Sequence, residues 1–254
     1  MRDNLLTIGY STLADRLNNI SAPEINMPHQ IFVSIQNPTN IAYSLPTNFE
    51  FRSATSSQRG VAKSRNVVLN STETKYLLFA DDEIIFLSDG IKSAISYLEA
   101  NPGCDLVLAR AVDTKGKLRK SYAEKEVKLT KFNSAKAATY EMIVRVESVR
   151  NKGVAFDENF GAGAENYLGD EYIFITDLLK KGGKATFLPL TIAIHPEESS
   201  GSRWGTESDL RARSMVFQRV FGITAPLIRT AFYLKNFQKF AGTKYLYKFI
   251  FGKL

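Results

Sequence analysis

Three consecutive carboxylates, Asp81, Asp82 and Glu83, follow directly after the apolar run of residues 76–79. That run has the length and the aromatic and branched composition of a buried strand, so the carboxylates are expected where the strand ends. Adjacent like charges repel one another, and hard oxygen ligands suit Mg²⁺ or Mn²⁺ better than zinc. The segment therefore predicts either a divalent cation site or a solvated acidic turn.

A second acidic pair, Asp170 and Glu171, begins a predicted helix over residues 170–181. Acidic residues at its start and Lys180 and Lys181 at its end complement the helix dipole. The positive end of that dipole should favour the ionised form of a carboxylate in the first turn. The pair is predicted either to do chemistry or to stabilise the helix.

Four segments, taken in order along the chain, resemble the family 2 glycosyltransferases. They are Gly60-Val61-Ala62-Lys63-Ser64-Arg65-Asn66, the strand and carboxylates of residues 76–83, Phe156-Asp157-Glu158-Asn159-Phe160-Gly161, and Gly169-Asp170-Glu171-Tyr172-Ile173-Phe174. The third of these segments is similar to the family's F-D-E-x-F signature, and the fourth is similar to its G-E-D or G-E-E segment. The resemblance spans residues 60–174, which is about half of the chain.

The resemblance implies the GT-A fold and an inverting, metal-dependent transfer from a nucleotide-sugar donor, a UDP-sugar, to a hydroxyl of a glycan or lipid-linked acceptor. The family's D-x-D motif holds Mn²⁺ or Mg²⁺ against the donor diphosphate, which implies Asp81 and Glu83 as metal ligands. Asp81 and Asp82 are also implied as donor contacts. By register, Glu171 is implied as the catalytic base, with Asp170 as the alternative. Such a base takes the proton of the attacking hydroxyl, and the cation stabilises the leaving diphosphate.

Further donor contacts are implied on the helix before the carboxylates and after the first two strands. Arg59, Lys63 and Arg65 could reach a phosphate or the base, or could be solvated surface charges. Tyr10 stands where the family has a P-x-x-N-like turn, and Gln36 stands where it has an acidic residue. We expect both residues to contact the donor. Because they differ from the family's residues, the contact to the nucleotide base is expected to differ as well.

His195 follows the predicted strand of residues 191–194. Several GT-A enzymes place a late histidine on the metal or the diphosphate, so the resemblance adds His195 as a third candidate metal ligand. The alternative is a histidine that is simply a satisfied polar residue. Residues 199–204, which include Arg203 and Trp204, could form a flap over the donor.

Alternating strands and helices must position these side chains. Apolar runs predict strands over residues 5–8, 31–35, 76–79 and 106–111, and helical patterns lie between them over residues 11–20, 58–70 and 89–100. This alternation predicts an α/β fold in which helices flank a mostly parallel sheet, with ligands at the carboxyl ends of the strands. The second half adds predicted strands over residues 140–146, 185–188 and 191–194.

Positive charge is concentrated at the end of the chain. Of a net charge of +7, the segment after Asp209 carries +9 and contains no acidic residue, which leaves −2 for the rest. Aromatic and aliphatic residues recur there at helical spacing between the cations, namely Tyr233, Phe237, Phe240, Leu246, Phe249 and Ile250. A basic helix with an apolar face is typical of the membrane interface. The pattern predicts peripheral membrane contact through residues 230–254, or else a helix packed on the catalytic domain, and the neutral body argues against nucleic acid.

Length and composition are those of a globular protein, with 254 residues and one cysteine, which excludes a disulfide framework. We predict a GT-A domain over residues 1–207, with a nucleotide-binding half (1–112) and an acceptor-side half (113–207), and a basic helical tail over residues 208–254.

The start has no signal-peptide core, so a cytoplasmic protein on the inner face of the cell membrane is expected. The predicted function is bacterial surface polysaccharide synthesis, and the alternatives are a nucleotidyltransferase and a non-catalytic nucleotide-binding scaffold.

Overall fold

The computed structural model describes residues 5–195, 206–239 and 246–252. Within them, nine strands form one mixed sheet. The strands are β1 (Leu6–Leu13), β2 (His29–Gln36), β3 (Arg52–Ser56), β4 (Tyr76–Ala80), β5 (Ile85–Phe86), β6 (Leu106–Val112), β7 (Val127–Lys128), β8 (Met142–Arg145) and β9 (Ala185–Ile194). Their order is β3-β2-β1-β4-β8-β6-β9-β5, and β7 pairs with β9.

Helices cover both faces of this sheet. They are α1 (Val61–Ser71), α2 (Ser88–Ala100), α3 (Val146–Asn151), α4 (Asp170–Lys180), α5 (Glu207–Phe221), α6 (Ala225–Lys235) and α7 (Leu246–Phe251). One core cluster contains the apolar side of α2, and the other contains the apolar sides of α1 and α4. All five residues of β4 are buried because both of its faces are covered, which explains its unbroken apolar sequence. The predicted α/β fold with flanking helices is confirmed.

Strand directions bring one set of strand ends to a common edge. β1 runs parallel to β2 and β4, and β6 runs parallel to β9. β8 lies between β4 and β6 and is antiparallel to both, so β4 and β6 point the same way. The carboxyl ends of β1, β2, β4, β6 and β9 therefore share one edge. Residues from both sides of the predicted boundary at residue 112 contribute to this single sheet.

Three predicted elements differ from the observed ones. The helix predicted over residues 11–20 is wrong at its start, because β1 continues to Leu13 with β2 paired along its whole length. A short 3-10 helix, Ala14–Asn19, follows. The strands predicted over residues 185–188 and 191–194 are a single strand, β9, whose register against β6 is irregular in the middle. β3 was not predicted, because its sequence is mostly polar and exposed.

The C-terminal helices form a small packed unit. Tyr233 of α6 and Phe249 of α7 are buried together in its core. Arg229 is buried as well, and it donates hydrogen bonds to the carbonyl oxygens of Ser214, at 2.7 Å, and Ile250, at 3.1 Å. The prediction that Tyr233 and Phe249 face a membrane is wrong, because the helices bury these rings against one another.

No helix in the described part of the chain is long and apolar enough to cross a membrane. Phe237, from the predicted aromatic face, is half-exposed. Phe240, from the same face, lies outside the described residues.

Candidate active site

The three carboxylates lie at the carboxyl edge of the sheet, immediately after β4. Asp82 is buried and accepts hydrogen bonds from the Thr12 hydroxyl at 2.7 Å and from Arg16 Nη2 at 2.8 Å. Arg16 also forms an ion pair of 2.9 Å with Glu83. Burial raises the pKa of Asp82, while the Thr12 hydrogen bond and the Arg16 charge oppose the rise. Asp82 thus fastens the acidic loop to the end of β1.

Arg65 connects this acidic loop to the start of α4. Its side chain is on the buried face of α1 and the residue is only 7% exposed. Nη2 donates to Asp81 Oδ1 at 3.0 Å, and Nη1 donates to Asp170, which is 3% exposed. Burial alone would lower the pKa of Arg65, but the charges of Asp170 and Asp81 raise it above its ordinary value. One guanidinium therefore joins the two acidic segments singled out from the sequence.

Glu171 stands beside this ion pair in the first turn of α4 and is partly buried. Its pKa is raised well above the ordinary value because burial disfavours the charge and because Asp170 both repels it and hydrogen-bonds to it. Arg65 opposes the rise without cancelling it. The helix start lowers this pKa through the backbone N–H of Glu171, as expected, but burial and Asp170 outweigh that effect. A carboxylate with a raised pKa is better matched to proton transfer near neutral pH.

Two glycines bring the chain close to this acidic pair. Gly169 precedes α4 with a φ of 90°, and Gly161 has a φ of 94°, a conformation that side chains disfavour. A Cβ atom at Gly161 would lie 2.8 Å from the Asp170 Cγ atom. The next residue, Ala162, accepts a hydrogen bond of 2.9 Å from the backbone N–H of Val61. The glycine-containing loop thus crosses between Asp170 and the start of α1.

Three of the predicted donor contacts surround the start of α1. Gln36 accepts a hydrogen bond of 2.8 Å from the backbone N–H of Gly60, so it supports the turn into the helix. Lys63 Nζ donates to Gln58 Oε1 at 3.0 Å on the surface. Arg59 is exposed. All three lie near the carboxyl edge, and only Gln36 has a buried polar contact there.

The F-D-E-x-F segment is anchored to α1 by a side-chain amide. Asn66 Nδ2 donates to the carbonyl oxygen of Phe156 at 3.0 Å, and Asn66 Oδ1 accepts from the backbone N–H of Phe156 at 2.8 Å. Asp157 accepts from Arg219 Nε at 2.8 Å. These contacts hold the loop that leads into Gly161.

Two buried hydroxyls lie in the carboxyl-terminal half of β1. Tyr10 and Ser11 have no hydrogen-bond partner among the described residues for their hydroxyl oxygens. Tyr10 pairs in register with Ala80, the residue before Asp81. Burial raises the pKa of the Tyr10 hydroxyl. Because buried hydroxyls are rarely left unpaired in native proteins, this end of β1 is a place where a bound molecule or water would complete the hydrogen bonding.

His195 lies at the same edge, directly after β9. Its backbone N–H donates to the carbonyl oxygen of Val112 at 2.9 Å, and its ring packs on Tyr140 with 4.8 Å between centroids. The predicted flap of residues 199–204 lies outside the described residues.

Asp81, Asp82 and Glu83 offer carboxylate oxygens, which are the donor atoms that Mg²⁺ and Mn²⁺ prefer. Among the described residues, no group of three or more His, Cys, Asp or Glu side chains is arranged to hold a metal ion. Mg²⁺, however, is usually held by one or two carboxylates together with substrate phosphates. Asp81 and Glu83 are both solvent-accessible. Asp81 pairs with Arg65 through Oδ1, and Glu83 pairs with Arg16 through Oε1. The pair therefore suits a cation that the donor itself helps to bind.

Sequence reasoning missed Arg16 and left the environment of Arg65 open. A signal for Arg65 was present, because it shares one face of α1 with Ala62 and Leu69, which are buried. A cation on the buried face of a helix needs a carboxylate partner. Arg16 gave no such local signal, since the predicted helix around it is a strand end and a short 3-10 helix.

No protein-family model matches the chain, and no curated protein matches it. Among solved structures, S. aureus TarS 1-349 in complex with UDP-GlcNAc has a TM-score of 0.61 and 13% identity over 92% of this chain and 73% of that chain. Its complex with UDP has a TM-score of 0.58 and 14% identity over 94% of this chain and 73% of that chain. A longer TarS structure has a TM-score of 0.58 and 13% identity over 93% of this chain and 44% of that chain. The chain therefore shares its fold with TarS, and this is the Rossmann-like GT-A fold that the sequence resemblance implied.

Proposed function

We propose that the protein is an inverting glycosyltransferase that moves a sugar from a UDP-sugar to a hydroxyl of a glycan or lipid-linked acceptor, in bacterial surface polysaccharide synthesis. One observation carries the proposal: Arg65 holds Asp81, at the end of β4, together with Asp170, which stands beside Glu171 at the start of α4. A donor-side carboxylate and a candidate base thus face one site. The TarS structures of similar fold contain UDP-GlcNAc and UDP, which supports a UDP-sugar as the donor.

The arrangement of the second acidic pair favours Glu171 as the base. Transfer forms a bond between the acceptor oxygen and the anomeric carbon and breaks the bond from that carbon to the diphosphate oxygen. The acceptor oxygen must lose its proton as it attacks, and the diphosphate leaves with the bonding electrons. Asp170 is paired with Arg65, whereas the pKa of Glu171 is raised, mainly by burial, and a raised pKa makes a carboxylate a stronger proton acceptor. We assign proton removal to Glu171 and the positioning of the site to Asp170.

The end of β1 and the acidic loop form the donor side in this proposal. The unpaired hydroxyl of Tyr10 supports a donor contact there, and Gln36 acts through the start of α1. Asp82 shapes the loop through Thr12 and Arg16 rather than contacting the donor. Arg59 and Lys63 lie on the surface near the helix start and remain proposed phosphate contacts.

Asp81 and Glu83 would hold Mn²⁺ or Mg²⁺, with His195 as a further ligand from the same edge. When bound, such a cation stabilises the negative charge that gathers on the leaving diphosphate. Arg16 and Arg65 already offset part of the charge of the acidic loop, so we expect the metal to bind tightly only together with the donor.

A donor panel tests the proposal directly. The full-length protein is incubated with UDP-, GDP-, CDP- and dTDP-sugars, with Mn²⁺ or EDTA and with or without lipid-linked acceptor, and released nucleoside diphosphate is measured. We expect metal-dependent release from at least one donor and faster release with the acceptor. A nucleotidyltransferase would instead release pyrophosphate from a nucleoside triphosphate and a sugar phosphate, and a scaffold would bind nucleotide without turnover.

A further inference from the structure

The outer side of α6 and of the turn before it carries an exposed aliphatic stripe. Ile223, Leu227 and Leu234 are 95%, 73% and 69% exposed. Their spacing of four and seven residues places them on one side of the helix, and Ala231 between them is exposed too. Contiguous exposed apolar surface of this kind marks an interaction site.

The opposite side of α6 fixes the helix in this orientation. Ala225, Arg229 and Tyr233 are buried and recur at intervals of four residues. Arg229 reaches the carbonyl oxygens of two other helices. Turning the aliphatic stripe inward would expose Tyr233 and break the hydrogen bonds of Arg229. The stripe is therefore held outward by the packing of the helical unit.

The charged residues of α6 itself are both basic, namely Arg229 and Lys235, and the helix contains no acidic residue. The sequence contains no acidic residue after Asp209. Arg211, Arg213 and Arg219 pair with acidic residues, two of them with residues of the catalytic domain. Lys235 follows Leu234 directly and is exposed.

We infer that this aliphatic stripe docks on an anionic lipid bilayer. The side chains would enter the boundary between headgroups and acyl chains, and Lys235 would lie at the level of the lipid phosphates. A second copy of the chain fits less well, because Lys235 of one copy would find no acidic residue on the α6 of the other. Four side chains also bury much less than the roughly 800 Å² per partner of a stable protein interface. The inference does not depend on the proposed sugar transfer.

Co-sedimentation of the full-length protein with vesicles tests this docking. Vesicles of phosphatidylglycerol and phosphatidylcholine are compared with vesicles of phosphatidylcholine alone, using wild type, Leu227→Glu/Leu234→Glu and Leu227→Gln/Leu234→Gln. Ile41→Glu/Leu45→Glu is the control, since it also replaces two exposed aliphatic residues with glutamates, in the segment between β2 and β3. We expect wild type and control to bind the anionic vesicles, and both stripe variants to bind at least about tenfold more weakly.

Because the replaced side chains are exposed, the melting temperature should change by no more than about 2 °C in each variant. The inference is overturned if wild type does not bind anionic vesicles, or if both stripe variants bind as well as wild type. A solution dimer that both stripe variants convert to monomers, without vesicle binding, would assign the stripe to a second copy instead. Nucleoside diphosphate release without vesicles should be equal in wild type and stripe variants, so a failure of that assay in wild type bears only on the proposed function.

Discussion

Replacing Arg65 with methionine tests the contact that joins the two acidic segments. Methionine keeps an unbranched apolar stem in the buried face of α1 but removes the guanidinium. Asp170, at 3% exposure, would then be a buried carboxylate without its cation. Removing one partner of a buried ion pair costs about 3–5 kcal/mol, because the other charge stays desolvated and unpaired. We expect Arg65→Met to lower the free energy of unfolding by that amount.

The measurement is urea unfolding at neutral pH, with the free energy of unfolding in water obtained by linear extrapolation. Arg219→Met is the matched control. Arg219 also bridges two carboxylates, Asp157 and Asp177, but its side chain is 34% exposed. Solvent screens such a pair, so its loss should cost only about 0–1 kcal/mol.

A second substitution distinguishes the cost of lost packing around residue 65 from the cost of leaving the Asp170 charge buried and unpaired. Asp170→Asn in the Arg65→Met background removes the buried negative charge, so the double variant should regain most of the lost stability. Two results would refute the reasoning: a loss below about 1 kcal/mol in Arg65→Met, or a double variant no more stable than Arg65→Met.

Three further predictions concern the base, the metal and the tail. Glu171→Gln should keep donor affinity in calorimetry and lose about 10²–10⁴ in transfer rate. Since only the ionised base accepts a proton, wild-type kcat/KM should rise with pH through a midpoint above the ordinary value of 4.5; a midpoint at or below that value contradicts the assignment. Asp81→Ala and Glu83→Ala should each abolish Mn²⁺-dependent UDP binding in calorimetry, and undiminished affinity in both would exclude this metal site. Phe249→Ala should lower the free energy of unfolding by about 3–5 kcal/mol, whereas the exposed Phe251→Ala should change it by less than about 0.5; equal effects would contradict the packed tail.

The elements that could be predicted from the sequence are those whose pattern of apolar residues matches their burial in the fold. Residues 76–79 are apolar without interruption because β4 is covered on both faces, and the carboxylates follow where the strand ends. Residues 89–100 show one apolar side, and α2 packs that side on the sheet. In both segments the pattern of apolar residues agrees with the packing, so the pattern alone was enough to predict the element.

Contacts between distant segments could not be predicted in this way. Asp170 lies 105 residues from Arg65, and nothing near either residue specifies the other. The three carboxylates predicted a need for positive charge, and a metal was the inferred source. The structure adds Arg65 and Arg16, which the fold brings to the acidic loop from two separate elements.

In the C-terminal segment, the sequence predicted a helix but not which of its sides is buried. Its helical pattern was recognised, but α6 is apolar on two sides, and the sequence does not distinguish the side that packs from the side that is exposed. Packing with α5 and α7 resolves this, since Tyr233 is buried while Leu234, the next residue, is exposed. The membrane contact that we propose therefore uses an aliphatic face of α6, whereas the sequence predicted an aromatic one.

The stereochemistry of turnover tests the central claim most directly. Proton NMR of the anomeric hydrogen follows the full-length protein with Mn²⁺ and the UDP-sugar selected by the donor panel, with water or acceptor as the nucleophile. We predict that an α-linked UDP-sugar gives a β-configured first product, and that Glu171→Gln forms it about 10²–10⁴ times more slowly. An α-configured first product, or equal rates in wild type and Glu171→Gln, would contradict an inverting site built on Glu171.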